Sequence, residues 1–492
     1  MVVDLTASVL AYDSGTGALS ITANKPGTLT PETIALTIGS SVTFTGGSAT
    51  SLTSGQTIEV HAIFDPASGA YTVSNIRIVN PPAQSVQPSP PASSVGASPA
   101  MAAVGQLLFN DTALSSSGKQ SCATCHAPSN AFTQSDNLPV PLGGTSMTLQ
   151  GLRNSPTVMY SSYIPGFVLH APGAASSVLR PTGGIMWDGR QANLAAQAQQ
   201  PFITSFEMGN ASSTQVAALL AGRPYLPQFI AVFGQSVLSS PDATLAAMGR
   251  AIAAFEATDQ FHPFSSKYDA YIQGNTTLTT QELAGMQAFN DIKRGNCAAC
   301  HSSTGSSTSP ALFTNYTYHN LGIPRNWQIA INVDSNPLPS YVTANGSGLG
   351  APNHNYYDMG LCGPVRTDLA QDTTVCGSFK TPTLRNVGLK QAYDHNGVFT
   401  SLSDVVSFYA TRNSNSSKWY KTADGSADIL FNDIPVVYAS NVEPLNNSGN
   451  PIAPHLTSTD VQNIVSFLCT LTDGFDPKNP SAYNASGQCM GL

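Results

Sequence analysis

Gly105-Gln-Leu-Leu-Phe-Asn110 leads into Cys122-Ala-Thr-Cys-His126, and Gly285-Met-Gln-Ala-Phe-Asn290 leads into Cys297-Ala-Ala-Cys-His301. In both places an apolar-periodic segment predicts a helix that ends in a short loop presenting Cys-x-x-Cys-His. Two copies of one unit account for this most simply. The motif is the attachment signature of c-type haem. Its two thiols, one helical turn apart, add across the haem vinyl groups, and the His that follows lies beneath the iron as proximal ligand. A thioredoxin-like dithiol does not need an adjacent His twice over. A zinc site needs further Cys or His at short spacing, and neither motif has them. The expectation is two covalent haems c, held by Cys122, Cys125, Cys297 and Cys300, with His126 and His301 on the irons.

Working outward, the remaining cysteines are Cys362, Cys376, Cys469 and Cys489, an even number. Covalent haem attachment requires export, and in an oxidising compartment these thiols should pair. Cys362–Cys376 with Cys469–Cys489 is the simplest pattern, although three connectivities are open. Only 10% of the 492 residues are charged, and the formal net charge is −8. Such a chain lacks the basic face that nucleic-acid binding needs. No apolar run reaches bilayer length, so no transmembrane segment is expected. Met1-Val-Val-Asp-Leu-Thr6 has neither a basic n-region nor an apolar h-region, so any export signal is expected to have been removed or replaced. The expected location is periplasmic or extracellular, at the cell surface.

Residues 1–80 read as a small all-β, barrel-like module. Leu19-Ser-Ile-Thr-Ala23, Ser41-Val-Thr-Phe-Thr45 and Thr57-Ile-Glu-Val-His-Ala-Ile-Phe64 alternate between Gly, Ser, Asp and Asn turns. His61 stands alone there and reads as structural. Residues 81–100 form a Pro/Ser/Ala-rich linker of extended, semi-rigid composition. The rest is expected to be mainly α, as two cytochrome c-like haem domains over 101–275 and 276–492. Beyond the two motif helices, helices are predicted at 191–200, 214–221, 242–257, 402–412 and 459–471, with few strands.

Between the motifs stand Arg153-Asn-Ser-Pro-Thr157 and Trp187-Asp-Gly-Arg190, then Gln197, Pro201 and Glu207-Met-Gly209. After the second come His319-Asn-Leu-Gly-Ile-Pro324, Phe379-Lys-Thr-Pro-Thr-Leu-Arg-Asn-Val387, Tyr393-Asp-His-Asn-Gly397 and Leu402-Ser-Asp-Val-Val-Ser-Phe-Tyr409. This series, over residues 101–475, resembles the bacterial di-haem cytochrome c peroxidase family, which includes the di-haem maturase of methylamine dehydrogenase. The resemblance implies that Trp187 relays electrons between the haems. It makes Glu207 the distal acid–base of the first, peroxidatic haem, with Gln197 and Pro201 shaping its pocket. Chemistry asks for such a group: peroxide must lose a proton at one oxygen and gain one at the other, and a poised carboxylate moves it.

The family's sixth ligand on the second haem is commonly Met; aligned without gaps from Tyr393, that position is Tyr409, as in the maturase-like branch. Phe408 and Tyr420 offer alternative registers, and His395 is a competing ligand. A phenolate donor should lower the iron potential where Met would raise it. The resemblance also implies a Ca²⁺ held by the Asn154 side chain and the carbonyls of Lys390 and Ala392. His170, the one histidine of an insertion before Trp187, reads as a surface residue, which would leave the first iron open.

The expected function is reduction of hydrogen peroxide at the N-terminal haem with electrons passed from the C-terminal haem. The electron donor would be a small redox protein, a cytochrome c or cupredoxin. One alternative is a maturase-like oxidase that uses high-valent iron on a protein or organic substrate. Another is a non-enzymatic extracellular electron carrier.

Overall fold

A computed structural model describes residues 2–24, 31–39, 41–45, 49, 52, 57–78, 98–169, 180–305, 310–333, 356–443, 456–479 and 489. They gather into two units, Met1–Gln87 and Pro88–Leu492, each with its own core. Most of the linker expected at 81–100, and His170, lie outside the described residues.

The first unit is a single six-stranded sheet. Its strands are β1 (Val2–Asp13), β2 (Ala18–Asn24), β3 (Pro31–Thr37), β4 (Thr43–Thr45), β5 (Thr57–Asp65) and β6 (Ala70–Ile78). Their order is β3-β2-β1-β5-β6-β4, antiparallel except for the β4–β6 pair. Period-two alternation sends Leu5, Ala7 and Val9 of β1 to the same core as Leu19 and Ile21 of β2 and Ile58 and Val60 of β5. One device closes two hairpins. Asp13 accepts from Gly15 N and Thr16 Oγ1, and Asp65 from Ala67 N and Ser68 Oγ. Gly17 and Gly69 then take φ of +70° and +69°, the left-handed step that such a turn requires. The described pairings leave β3 and β4 at the two ends of the sheet, so the expected barrel closure is not among them. His61 is an exposed position of β5, paired in register with Asp4 and Asn75.

The second unit is built on two helix crossings of one design. Helix α1 (Pro99–Asn110) packs on α2 (Pro241–Glu256), and α3 (Thr280–Asn290) packs on a later helix, Ser458–Cys469. A Cβ on Gly105 would lie 1.9 Å from Ala251 O, and a Cβ on Gly285 would lie 1.9 Å from Asn463 O. These two glycines let the backbones touch. Aromatic rings lock each crossing edge-on: Phe109 on Phe255 at 5.4 Å, and Phe289 on Phe467 at 5.3 Å. The repeat seen in sequence is thus a repeat of contacts.

Gly285→Ala gains helix propensity of about 1 kcal/mol but must force the crossing apart. Such overpacking costs about 1–3 kcal/mol, and a backbone oxygen cannot swing aside, so the variant should unfold at lower denaturant than wild type. An unchanged midpoint would show that the crossing yields freely.

The helices Leu194–Gln197, Gln200–Ile203, Ser213–Ala221 and α4 (Leu402–Thr411) fall in or close to the predicted segments, whereas Leu226–Phe233, Lys267–Ile272 and Ser416–Trp419 lie outside them. Strand content beyond residue 98 is confined, among described residues, to two-residue pairs and isolated bridges. The disulfides are Cys362–Cys376 and Cys469–Cys489. Across the two halves, Tyr160 donates to Asp473 at 2.8 Å, and Asn386 Nδ2 donates to the same carboxylate at 2.7 Å. Beside them the buried pair Arg385–Asp269 closes at 2.8 Å. No single helix among the described residues is long and apolar enough to cross a bilayer.

Candidate functional site

Each motif histidine is aimed by a strained phenylalanine. Phe132 and Phe313 adopt φ of 51° and 52°, an uncommon conformation for a bulky residue. It turns their carbonyls onto His126 Nδ1 at 3.2 Å and His301 Nδ1 at 3.0 Å. With the Nδ1 proton spent on a carbonyl, Nε2 is the lone-pair nitrogen in each ring, as a metal-bound His requires. Burial lowers both imidazoles to about 4, so both are neutral at pH 7. The four motif cysteines form no disulfide. Burial pushes the Cys125 and Cys297 thiols up to about 12 and Cys122 further still.

Both histidines open onto one cavity, lined by residues of both motifs and of the segments between and after them. Its wall carries three buried side-chain polar atoms without a hydrogen-bond partner, Asn296 Nδ2, the Tyr316 hydroxyl and His395 Nε2. A large cavity, two free Nε2 atoms and unpaired polar groups on its wall fit a bulky ligand with polar substituents. The residues present therefore fit two haems.

Gln197, Pro201 and Glu207 line this cavity together with His126. Gln197 ends a short helix capped by Asn193, whose side chain accepts from Ala196 N. Glu207 follows the turn after Gln200–Ile203, its N–H donating to Thr204 O and its carbonyl accepting from Gly144 N at 2.7 Å. Gly143 leaves room for this turn, since a Cβ there would lie 2.4 Å from Phe206 O. Burial raises the Glu207 carboxyl above its ordinary range, with Arg190 and Thr204 pulling against it. The charge of Glu207 is felt at both Cys122 and Cys125, so it sits on the first motif's side.

Trp187 is held at both ends of its residue. Its indole N–H donates to Asn154 O at 2.8 Å, and its carbonyl accepts from Lys380 N at 2.9 Å. The turn that bears it is fixed by Asp188, which takes Arg153 at 2.8 Å and Arg190 at 2.8 Å. Burial alone would raise the Asp188 carboxyl, but the two guanidinium groups outweigh it and hold it at about 2. Arg153 also grips Asp358, and Arg366 donates to Asp188 O at 2.8 Å. Asp358, Arg366 and Lys380 were not singled out in sequence. They lie far along the chain from Trp187, and ion pairing has no sequence period to reveal it.

Helix α4 sends Tyr409 into the cavity. Its neighbours include Asp394, Cys300 and Cys297, and burial pushes its phenol well above 10. The alternative registers are occupied otherwise. Phe408 is core, packed edge-on against Trp419, and Tyr420 donates from a buried hydroxyl to Gly322 O at 2.6 Å. His395 stacks on Phe379 at 3.7 Å, with Nε2 3.7 Å from an Asp433 oxygen.

The residues do not fit the expected calcium site. Lys390 Nζ itself occupies Asn154 Oδ1 at 2.9 Å and also donates to Thr133 Oγ1 and Ser155 O, both at 3.1 Å. The Lys390 carbonyl is taken by the Tyr393 hydroxyl at 2.9 Å. An ammonium among these oxygens repels a second cation.

Four likenesses accompany this geometry. Residues 99–277 match the family described as di-haem cytochrome c peroxidase. The chain is 38% identical over 312 residues to the methylamine utilization protein MauG of Paracoccus denitrificans, covering 62% of this chain and 73% of that one. It is 28% identical over 304 residues to the cytochrome c551 peroxidase of Nitrosomonas europaea, covering 61% and 70%. Among solved structures, the diheme peroxidase BthA of Burkholderia thailandensis superposes with a TM-score of 0.64 at 33% identity, covering 76% of this chain and 86% of that one.

Proposed function

Because this chain belongs to the di-haem cytochrome c peroxidase family, an oxidoreductase family with two c-type haems, we propose that it reduces hydrogen peroxide on the His126 side of its cavity, using electrons from the His301 side. When bound, the haems supply iron that exchanges electrons and, at the first, a position open to peroxide. Everything else falls to the chain.

His126 and His301 present neutral Nε2 atoms, held in that tautomer by the Phe132 and Phe313 carbonyls. Glu207 takes the proton from the nearer peroxide oxygen and returns it to the farther one, which leaves as water. Two electrons and two further protons complete the conversion of one peroxide to two waters. Arg190, tied to Asp188, favours the ionised form of Glu207, from which the carboxylate accepts the first proton. Gln197 and Pro201 wall the peroxide pocket. Trp187, fixed by Asn154 and Lys380, carries electrons between the two sides.

One observation carries the reading: the raised carboxyl of Glu207 belongs to the first motif, while Tyr409 belongs to the second. The two sides are thereby chemically unequal, one equipped for proton transfer and one for a hard oxygen ligand. Tyr409 also favours a second reading, a maturase-like oxidase of a protein or organic substrate. Electrons for peroxidase turnover would come from a small cytochrome c or cupredoxin. The thioether chemistry and both disulfides fit a periplasmic or cell-surface location.

Protein matured with haem-attachment machinery should show an intact mass raised by two haems, and Cys297→Ala should impair attachment at the second motif alone. It should also consume peroxide when supplied with a reduced cytochrome c. Two haems without peroxide consumption would overturn the peroxidase reading and leave the maturase-like oxidase or electron carriage.

A further inference from the structure

Every polar group of Asn154 is engaged. Its N–H donates to His395 O at 2.7 Å and its Nδ2 to Pro139 O at 3.0 Å. Its carbonyl receives the Trp187 indole at 2.8 Å, and its Oδ1 receives Lys390 Nζ at 2.9 Å. The ammonium has three protons and finds three oxygens, the others being Thr133 Oγ1 and Ser155 O at 3.1 Å. Thr133, Asn154 and Ser155 are all buried. They come from the half that bears the first motif, and Lys390 comes from the other.

An amide oxygen, a peptide carbonyl and a hydroxyl are the hard donors that a divalent cation such as calcium uses. Here one chain-borne cation already satisfies them; burial lowers its amine to about 8, and the charge of Asp394 works against that burial in favour of the ammonium. Calcium would need six to eight oxygens at about 2.3–2.6 Å, and it would have to expel the ammonium to reach even these three. We propose that the Lys390 ammonium is the permanent cation of this junction, replacing an exchangeable divalent ion, so that the clamp on Asn154, and through it on Trp187, needs no calcium. Lys390 is then a positioning residue, acting on Trp187 through Asn154. The turn after it is built for the same closeness: Gly397, at φ +63°, leaves no room for a Cβ, which would lie 2.2 Å from Pro139 O.

The test uses the full chain carrying both haems, dialysed against a chelator and then assayed for metal content and melting temperature. Wild type should retain no stoichiometric calcium, and its Tm should be the same in chelator as in millimolar calcium chloride. Lys390→Thr removes the cation and leaves the oxygens. Its Tm should fall by about 3–8 °C, as for loss of a buried, fully paired polar group, and calcium chloride should restore much of that loss where sodium chloride does not. One tightly held calcium per wild-type chain, or a wild-type Tm lowered by chelator, overturns the proposal. So does a Lys390→Thr protein whose Tm is unchanged or indifferent to calcium. Metal content and melting do not depend on turnover, so this inference and the peroxidase reading fail separately.

Discussion

Glu207→Gln should slow the reaction with peroxide by on the order of 10²–10⁴-fold, the usual cost of losing a general acid–base group, while leaving the ferric absorption spectra of both haems in place. The substitution keeps shape and hydrogen-bonding capacity and removes only the group that can take and return a proton. It touches no motif residue, so attachment and proximal ligation should persist. The pH dependence supplies a second signature. Burial raises the Glu207 carboxyl above 4.5, and the carboxylate is the form that accepts the first proton. The wild-type rate should therefore fall as pH falls through a value above 4.5, and that acid limb should be absent from Glu207→Gln. A rate constant within a few-fold of wild type, with the limb retained, would place the proton shuttle on another residue.

Much of this site was legible because its parts follow local rules. Cys-x-x-Cys-His is a contiguous signature, and the Gly105 and Gly285 repeats are contiguous too. What those glycines do, bringing Ala251 O and Asn463 O against the helix backbone, is a tertiary fact that the repeat only hinted at. The series Trp187, Gln197, Pro201, Glu207 was read by resemblance, and the chain folds so that all four line one cavity.

Other parts were hidden for physical reasons. β1 is not among the stretches quoted as strands, although Leu5, Ala7 and Val9 keep a period-two spacing. β3 begins at Pro31, an edge position where proline is tolerated but which reads as a breaker. The partners of Arg153, Trp187 and Asp188 could not be seen, since Asp358, Lys380 and Arg366 arrive from another part of the sequence. Lys390 shows a subtler limit. Its position was read for its backbone carbonyl, and only the fold reveals that its side chain turns inward and takes the oxygens a metal would have used.

Tyr409 decides between the two enzymatic readings, and Tyr409→Met should raise the reduction potential of the haem on the His301 side by on the order of a few hundred millivolts, within the roughly 0.8 V that axial ligands span. In the absence of a cation the Tyr409 phenol keeps its proton, because burial holds it well above 10 and Asp394 adds to the effect. A ferric iron can draw that proton off. The resulting phenolate is a hard, electron-rich donor that stabilises the oxidised metal, whereas a thioether stabilises the reduced one. With Tyr409 in place, the second haem should be low in potential and slow to accept electrons from ordinary cytochrome c donors, as an oxidase of the maturase type requires. With Met, ordinary donors should reduce it, and steady-state peroxidase turnover should rise. Tyr409→Phe keeps the packing of α4 and removes only the oxygen, so its ferric spectrum should change to that of a haem that has lost its sixth ligand or taken water or His395 in its place. If Tyr409→Phe matches wild type in both spectrum and potential, Tyr409 is a packing residue, and the inequality between the two sides of the cavity rests on Glu207 alone.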